Sequence, residues 1–257
     1  MSFSLTSIIV PTKNGLARLR GCVASIRQYT DPHTTPYEIV AAVDDTDDGT
    51  SEWCVGEGIA FVRVTGSEGF PAACNRGMRM ATGEQLLLLH DDTIVTQNWL
   101  SNLLTALRSS PEIGIVGPIT NHASGRQQVS RPFADLAEFQ RSAAETNHSD
   151  PAMWEPSLRI AGFCFLLKRT VYERVGELDE RYAPGYYADD DYCFRTWRLG
   201  FGLRICRDSY IYHEGGASFR QCRTAEPQEL LRRNRRIFID KWDVDPDWYI
   251  EHEEESG

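Results

Sequence analysis

Residues 86–95 read LLLLHDDTIV. Leu86, Leu87, Leu88 and Leu89 show no alternation of polar and apolar positions, the pattern of a strand buried on both faces, as in a parallel sheet. Acid begins almost where the leucines stop, at Asp91 and Asp92. In an open α/β sheet, ligands gather beyond the carboxyl ends of the strands. Carboxylates at such an edge are costly unless they meet a cation or a polar ligand. The plainer alternative is a strand-end turn in which residues 93–98 start a helix.

Upstream, residues 7–10 (SIIV) form a β-branched run that stops at Pro11, which cannot continue a ladder. Thr12, Lys13, Asn14 and Gly15 make a polar turn before a helical spacing of Leu16, Leu19, Val23 and Ile26. A second buried strand, 39–43, runs into DDTDDGT at 44–50. Asp44, Asp45, Asp47 and Asp48 exceed what a helix cap needs: one or two should cap a helix near 51–55, leaving the others for ligand contact. A third strand covers 59–64. A helix follows over 69–80, with Asn75 and Gly77 inside it. Both are unfavourable in a helix interior and suggest a close approach. The order to this point is β-α-β-α-β-α-β, a doubly wound half.

Downstream, a helix is expected at 99–107 and a strand at 113–116. Residues 118–157 are polar, with one expected helix at 136–144; a segment this long in a compact domain is usually functional. Strand character resumes at 160–167 (IAGFCFLL), then a helix at 169–175. YAPGYYADDD at 182–191 precedes a helix at 192–199, with one aspartate of 189–191 expected as its cap. Short strands at 203–206 and 209–212 lead to His213, and a last helix spans 227–242. The sequence contains no repeat and no low-complexity stretch.

The bulk numbers fit one α/β domain or two small ones: 257 residues, 41% hydrophobic and 25% charged. A net charge of −10 argues against bulk nucleic-acid binding. Part of that charge, Glu251, Glu253, Glu254 and Glu255, sits in a tail expected to fray. Seven cysteines without a CxxC pair argue against a zinc site and suit buried, reduced thiols in a cytoplasmic protein. The N-terminus shows no signal-peptide pattern, and the longest apolar run is too short for a transmembrane segment.

Acid therefore falls at three element ends: Asp44 with Asp45, Asp91 with Asp92, and residues 189–191. His213 closes a strand. Carboxylates plus an imidazole suit Mn²⁺ or Mg²⁺, the imidazole favouring Mn²⁺. Such an ion would neutralise a diphosphate.

Seven stretches in this order resemble the family 2 glycosyltransferases of the GT-A fold. SIIVPTKNG resembles the opening strand and nucleotide turn, VDDTDDGT the acidic turn that reads the base, and GFPAACNRGM the helix beneath the nucleotide. LLLLHDDTIV is similar to the strand carrying the DxD motif, with His90 in place of its first aspartate. AGFCFLLKR and YYADDDYCFR resemble the acceptor-side strand and the helix bearing the catalytic acid, with Ala188 where Glu often precedes that residue. YIYHEGGAS is similar to the segment with a metal-binding histidine.

The resemblance implies an α/β three-layer sandwich around a mixed, mainly parallel sheet. Residues 1–117 would form its nucleotide-sugar half, and 118–257 its acceptor half with the C-terminal helices. It implies inverting transfer of a sugar from a nucleoside-diphosphate donor to a hydroxyl of a glycan, protein or small molecule. It places Pro11, Thr12, Asn14, Asp44, Asn75, Asp91 and Gly162 around the nucleotide sugar, Asp92 and His213 on the metal, and Asp189 as general base.

Two other functions share parts of this pattern. A non-catalytic nucleotide-sugar binder would fit the His90 departure, but not the presence of both Asp92 and a base. A nucleotidyltransferase would need a Gly-rich basic loop near the first strand, and PTKNGLAR is poor in glycine. The segment 214–224, with Gly215, Gly216, Arg220 and Arg223, is expected to close over the donor. Arg232, Arg233, Arg235 and Arg236 read as a solvated helix face. Trp154 could stack on a sugar or pack inside the protein.

Overall fold

The computed structural model describes residues 3–44, 48–64, 68–215 and 227–247. The elements run β1 (Thr6–Thr12), α1 (Leu16–Tyr29), β2 (Tyr37–Asp44), α2 (Thr50–Glu57), β3 (Ala60–Val64), α3 (Gly69–Met80), β4 (Gln85–Leu89) and β5 (Thr93–Ile94). They continue with α4 (Trp99–Arg108), β6 (Ile113–Thr120), α5 (Leu136–Thr146), β7 (Trp154–Ser157), β8 (Cys164–Lys168), α6 (Arg169–Val175), α7 (Ala188–Arg198), β9 (Gly202–His213) and α8 (Pro227–Trp242).

Among the described residues nine strands form one sheet in the order β3-β2-β1-β4-β8-β6-β9-β5, with β7 also paired to β9. Strands β3, β2, β1 and β4 are parallel, β8 runs against both β4 and β6, and β9 is parallel to β6. The expected mixed, mainly parallel α/β sandwich is the fold observed.

The leucine run behaves as its pattern requires. Leu87 and Leu89 join Ile8, Val10 and the inner faces of α1 and α4 in one core, while Leu86 and Leu88 join Ile9, Met78 of α3 and Val171 of α6 in the other. Alternate residues of one strand thus feed two separate cores, which is why the run carries no polar position. Truncating Leu87 to alanine should cost about 2–5 kcal/mol. Gly77 confirms the close approach inside α3: a Cβ there would lie 2.3 Å from Ile9 Cγ2.

Several boundaries differ from the sequence expectation: β6 runs on to Thr120, β7 forms inside the polar segment, and β8 starts only at Cys164. Pro11 lies within β1 rather than ending it, still in register opposite Ala42 of β2. Strand β4 pairs with β1 only as far as Ile9, so no ladder bond is lost on that edge. The two short strands expected before His213 are one strand, β9, whose register against β6 shifts between Pro118 and Ile119. At that irregularity Asp208 accepts hydrogen bonds from the Trp154 indole at 2.8 Å and the Asp150 amide at 3.0 Å. The indole N–H of Trp154 is therefore spent on packing.

A further difference is α7, which begins at Ala188, so Asp189, Asp190 and Asp191 occupy its first turn. None caps it; the residue before the helix is Tyr187, with φ of 63°. Acid is favoured in a first turn by the helix dipole as much as at a cap, and that is what the acidic triplet reports.

Cys22, Cys54, Cys74, Cys164, Cys193 and Cys206 are buried and reduced. Cys222 and most of the expected closing segment, from residue 216 onward, lie outside the described residues. Among the described residues no helix is long and apolar enough to cross a membrane.

Candidate active site

The carboxyl ends of β1, β2 and β4 meet at one edge of the sheet. Thr12 Oγ1 donates to Asp91 Oδ2 at 2.7 Å, and Lys13 Nζ pairs with Asp44 Oδ2 at 2.6 Å. Arg18, in the first turn of α1, donates from Nε to Asp91 Oδ1 at 3.2 Å and from Nη2 to Oδ2 at 3.3 Å. This two-pronged bond was not legible in the sequence, because nothing there showed that α1 doubles back over β4. Burial pushes the Asp91 carboxyl above its usual range, and Arg18 and Thr12 pull it down. The turn is tight: a Cβ at Gly15 would lie 2.3 Å from Asp91 Oδ2. Asn14 sits there with φ of 43°. Asp48 accepts from the backbone N–H of Leu16 and of Thr50 at two helix starts, although the residue at the cap position of α2 is Gly49 and not an aspartate.

Asn75 is not brought to this edge. It is fully buried, and its Nδ2 donates to the Leu178 carbonyl and to Glu180, both at 2.9 Å. Its Oδ1 accepts from the Leu178 amide at 2.9 Å. Both amide protons are spent on packing α3 against the segment before α7.

Beyond β4 the chain turns at once into the short strand β5, and Thr93 pairs with His213 at the end of β9. The Glu214 amide donates to the Asp92 carbonyl at 3.0 Å. This pairing sets Asp92 beside His213, with His213 Nε2 3.2 Å from Asp92 Oδ1. His90 completes the group, its Nδ1 3.8 Å from Asp92 Oδ1, and the ligand atoms of all three lie within 4.8 Å of one another. The sequence reading took His90 only as a lost aspartate. The usable signal was its place two residues before Asp92, across a turn that the Thr93 amide closes on the His90 carbonyl at 3.2 Å.

Two observations fit this group to a divalent ion. Asp92 Oδ1 and His213 Nε2 are both buried without a hydrogen-bond partner, a costly state for polar atoms unless something binds them. His213 Nδ1 lies 2.7 Å from the His122 carbonyl, so Nδ1 carries the proton and Nε2 presents its lone pair to the cluster. Asn121 grips the same residue: its Oδ1 accepts from the His213 amide at 2.9 Å and its Nδ2 donates to the His213 carbonyl at 3.0 Å. Burial pushes the His90 imidazole down to about 4.

The three aspartates of α7 divide their work. Asp190 is buried and paired with Arg159 Nε at 2.5 Å. Asp191 is fully buried between Arg195 Nε at 2.9 Å and Lys241 Nζ at 2.7 Å, and it accepts from the Trp242 indole at 2.8 Å. Asp189 is partly exposed and, among the described residues, has no salt-bridge partner; its Oδ2 accepts from the Gly162 amide at 2.8 Å. On α8, Arg235 pairs with Asp245 and Asp247, and Arg236 with Asp240. That part of the arginine row faces neighbouring acids, not the cleft.

The sequence matches the profile described as Glycosyl transferase family 2 over residues 7–176. It is 24% identical over 267 residues to the uncharacterized protein y4gI of Sinorhizobium fredii, covering 93% of this chain and 27% of that protein. It is 28% identical over 236 residues to the O-antigen biosynthesis protein RfbC of Myxococcus xanthus, covering 82% of this chain and 17% of that protein. The chain thus spans only a minor part of either relative's length. Among solved structures, the mannosyltransferase PcManGT of Pyrobaculum calidifontis in complex with GDP-Man and Mn²⁺ superposes with a TM-score of 0.64 at 21% identity. That alignment covers 98% of this chain and 69% of the other and shows a shared fold. With its profile match running from β1 past the end of α6, the chain belongs to glycosyl transferase family 2.

Proposed function

We propose that this chain transfers a sugar from a nucleoside-diphosphate donor to an acceptor hydroxyl with inversion, using Mn²⁺ or Mg²⁺. The observation that carries the reading is a pair of buried, unpartnered ligand atoms, Asp92 Oδ1 and His213 Nε2, near a partly exposed carboxylate, Asp189. The Gly162–Phe163 segment links the two groups: Gly162 donates to Asp189, and the Phe163 carbonyl accepts from the His90 amide at 2.9 Å.

In this reading Asp92 and His213 hold the ion, which when bound offsets the negative charge of the diphosphate leaving group. Pro11, Thr12, Asn14, Asp44 and Asp91 line the nucleotide side, with Asp91 set by Arg18. Residues 1–117 supply that half and 118–257 the acceptor half. Asp189 accepts the proton of the acceptor hydroxyl as its oxygen bonds to the anomeric carbon and the bond from that carbon to the diphosphate oxygen breaks. Attack and departure on opposite faces invert the configuration. The Gly162 N–H holds that carboxylate in position.

Incubation with a panel of nucleoside-diphosphate sugars and Mn²⁺, reading nucleoside-diphosphate release and product anomer, tests this. Tight donor binding with no release across acceptors would make the chain a binding module instead. Pyrophosphate release from a nucleoside triphosphate and a sugar phosphate would make it a nucleotidyltransferase.

A further inference from the structure

We infer that His90 is a third protein ligand of the metal, and that it makes the site discriminate against Mg²⁺ in favour of transition-metal ions. This rests on the proposed function, in which Asp92 and His213 hold a divalent ion.

The geometry comes first. The ligand atoms of His90, Asp92 and His213 lie within 4.8 Å of one another, and Asp92 Oδ1 sits between the two imidazoles, 3.2 Å from one and 3.8 Å from the other. Ligands on neighbouring corners of an octahedron with bonds of about 2.1 Å stand roughly 3 Å apart. His213 and Asp92 already match that spacing, and His90 must close by under an ångström. Its ring can do so, because its contacts there are ring edges: Phe70 at 5.1 Å and His213 at 5.3 Å between centroids. The backbone of His90 is fixed, its amide bonded to Phe163 and its carbonyl to Thr93 Oγ1 at 2.6 Å. The side chain therefore approaches from one defined direction.

The chemistry follows from the ligand set. Two imidazoles and one carboxylate are a donor set that Mg²⁺, which prefers oxygen and gives up water reluctantly, binds poorly. Imidazole suits the later first-row ions, so affinity should rise from Mg²⁺ to Mn²⁺ to Co²⁺. Charge reinforces the choice. An imidazole that binds a metal through its lone pair adds no charge, so the group contributes only the carboxylate of Asp92 and a bound divalent ion keeps a net positive charge toward the diphosphate. An aspartate at position 90 would cancel it.

The experiment uses the whole chain with Mn²⁺ alone, read by electron paramagnetic resonance, with Mg²⁺ as competitor. Spin-echo modulation counts the imidazole nitrogens on Mn²⁺. The parental protein should show two, and His90→Asp and His213→Ala one each. In His90→Asp the preference for Mn²⁺ over Mg²⁺ should fall by at least tenfold, the low end of what loss of even an outer-sphere partner costs. His90→Asn serves as a second variant, and the melting temperature of each shows that it is folded. One nitrogen in the parental protein, with an unchanged ion preference in folded His90→Asp, would remove His90 from the site while leaving Asp92 and His213 as ligands. Absence of any Mn²⁺ binding by the parental protein would overturn both the inference and the metal reading beneath it.

Discussion

The carboxylate of Asp189 accepts a hydrogen bond from the backbone N–H of Gly162 at 2.8 Å. The next residue, Phe163, accepts from the His90 amide through its carbonyl and stacks its ring on His213 at 5.1 Å between centroids. One dipeptide thus spaces the candidate base from the candidate metal group. It belongs to the short stretch ahead of β8, held between β4 and α7. A Cβ at Gly162 would come no nearer than 3.4 Å to the Asp189 carboxylate, an ordinary contact, so the hydrogen bond does not depend on the missing side chain.

Asp189→Asn should keep donor binding and lose about 10²- to 10⁴-fold in turnover, the usual contribution of a general base. Asp190→Asn and Asp191→Asn act through folding. Each strips a buried partner from a cation, Arg159 in one case and Arg195 with Lys241 in the other. Breaking a buried pair costs about 3–5 kcal/mol, so both variants should melt earlier than Asp189→Asn. A folded Asp191→Asn without turnover, beside an active Asp189→Asn, would move the base two residues along.

Removing the metal should act on nucleotide affinity as well as rate. Asp92→Ala, or chelation of the parental protein, should abolish Mn²⁺-dependent nucleoside-diphosphate binding in calorimetry. Without the ion, Asp92 and the diphosphate repel each other. His213→Ala should do less, since water can take its place. Undiminished transfer by Asp92→Ala would end the assignment.

Arg18 predicts a different signature. Asp91 is 2% exposed, and its carboxylate rests on Arg18 and Thr12. Arg18→Ala leaves a buried carboxylate without its cation and should destabilise the fold by about 3–5 kcal/mol. Arg18→Ala with Asp91→Asn should recover part of that loss, because the stranded charge is gone. Chemical denaturation of the single and double variants measures the coupling. Additive losses would show that the pair does not hold the turn to β4.

The sheet and most helices were legible because their residues obey local rules: continuous apolar runs for β1, β2 and β4, and 3.6-residue spacing for α1 and α4. Asp92, His213 and the acid at 189–191 stood out as carboxylates and imidazole at element ends, and the order of motifs gave Asp189 and the metal pair their separate expected roles. Two kinds of information stayed hidden. Partners far apart in sequence, such as Arg18 with Asp91 or Asn75 with Leu178, are set by how helices return over the sheet. His90 was hidden for another reason: read against an expected aspartate it looked like a loss, and only the pairing of β5 with β9 shows that its ring joins the same group as His213.

Asn121 gives the last prediction. Its amide bonds both the N–H and the C=O of His213, at 2.9 and 3.0 Å, at the point where β9 ends. The neighbouring His122 carbonyl fixes the imidazole tautomer through Nδ1. His213 is thus held by two consecutive residues of the segment after β6, one setting its backbone and the other its ring. Asn121→Ala removes the backbone grip and leaves the His122 carbonyl on a looser chain. Partners that orient a metal ligand typically contribute about 10- to 100-fold in metal affinity. We therefore expect Asn121→Ala to weaken Mn²⁺ binding by that factor, measured by titration in the absence of donor, with no change in the ligand atoms. Asn121→Asp should be no better, because its second oxygen would face the His213 carbonyl instead of donating to it. Mn²⁺ affinity within twofold of the parental value in a folded Asn121→Ala would mean that β5 alone holds His213 in place.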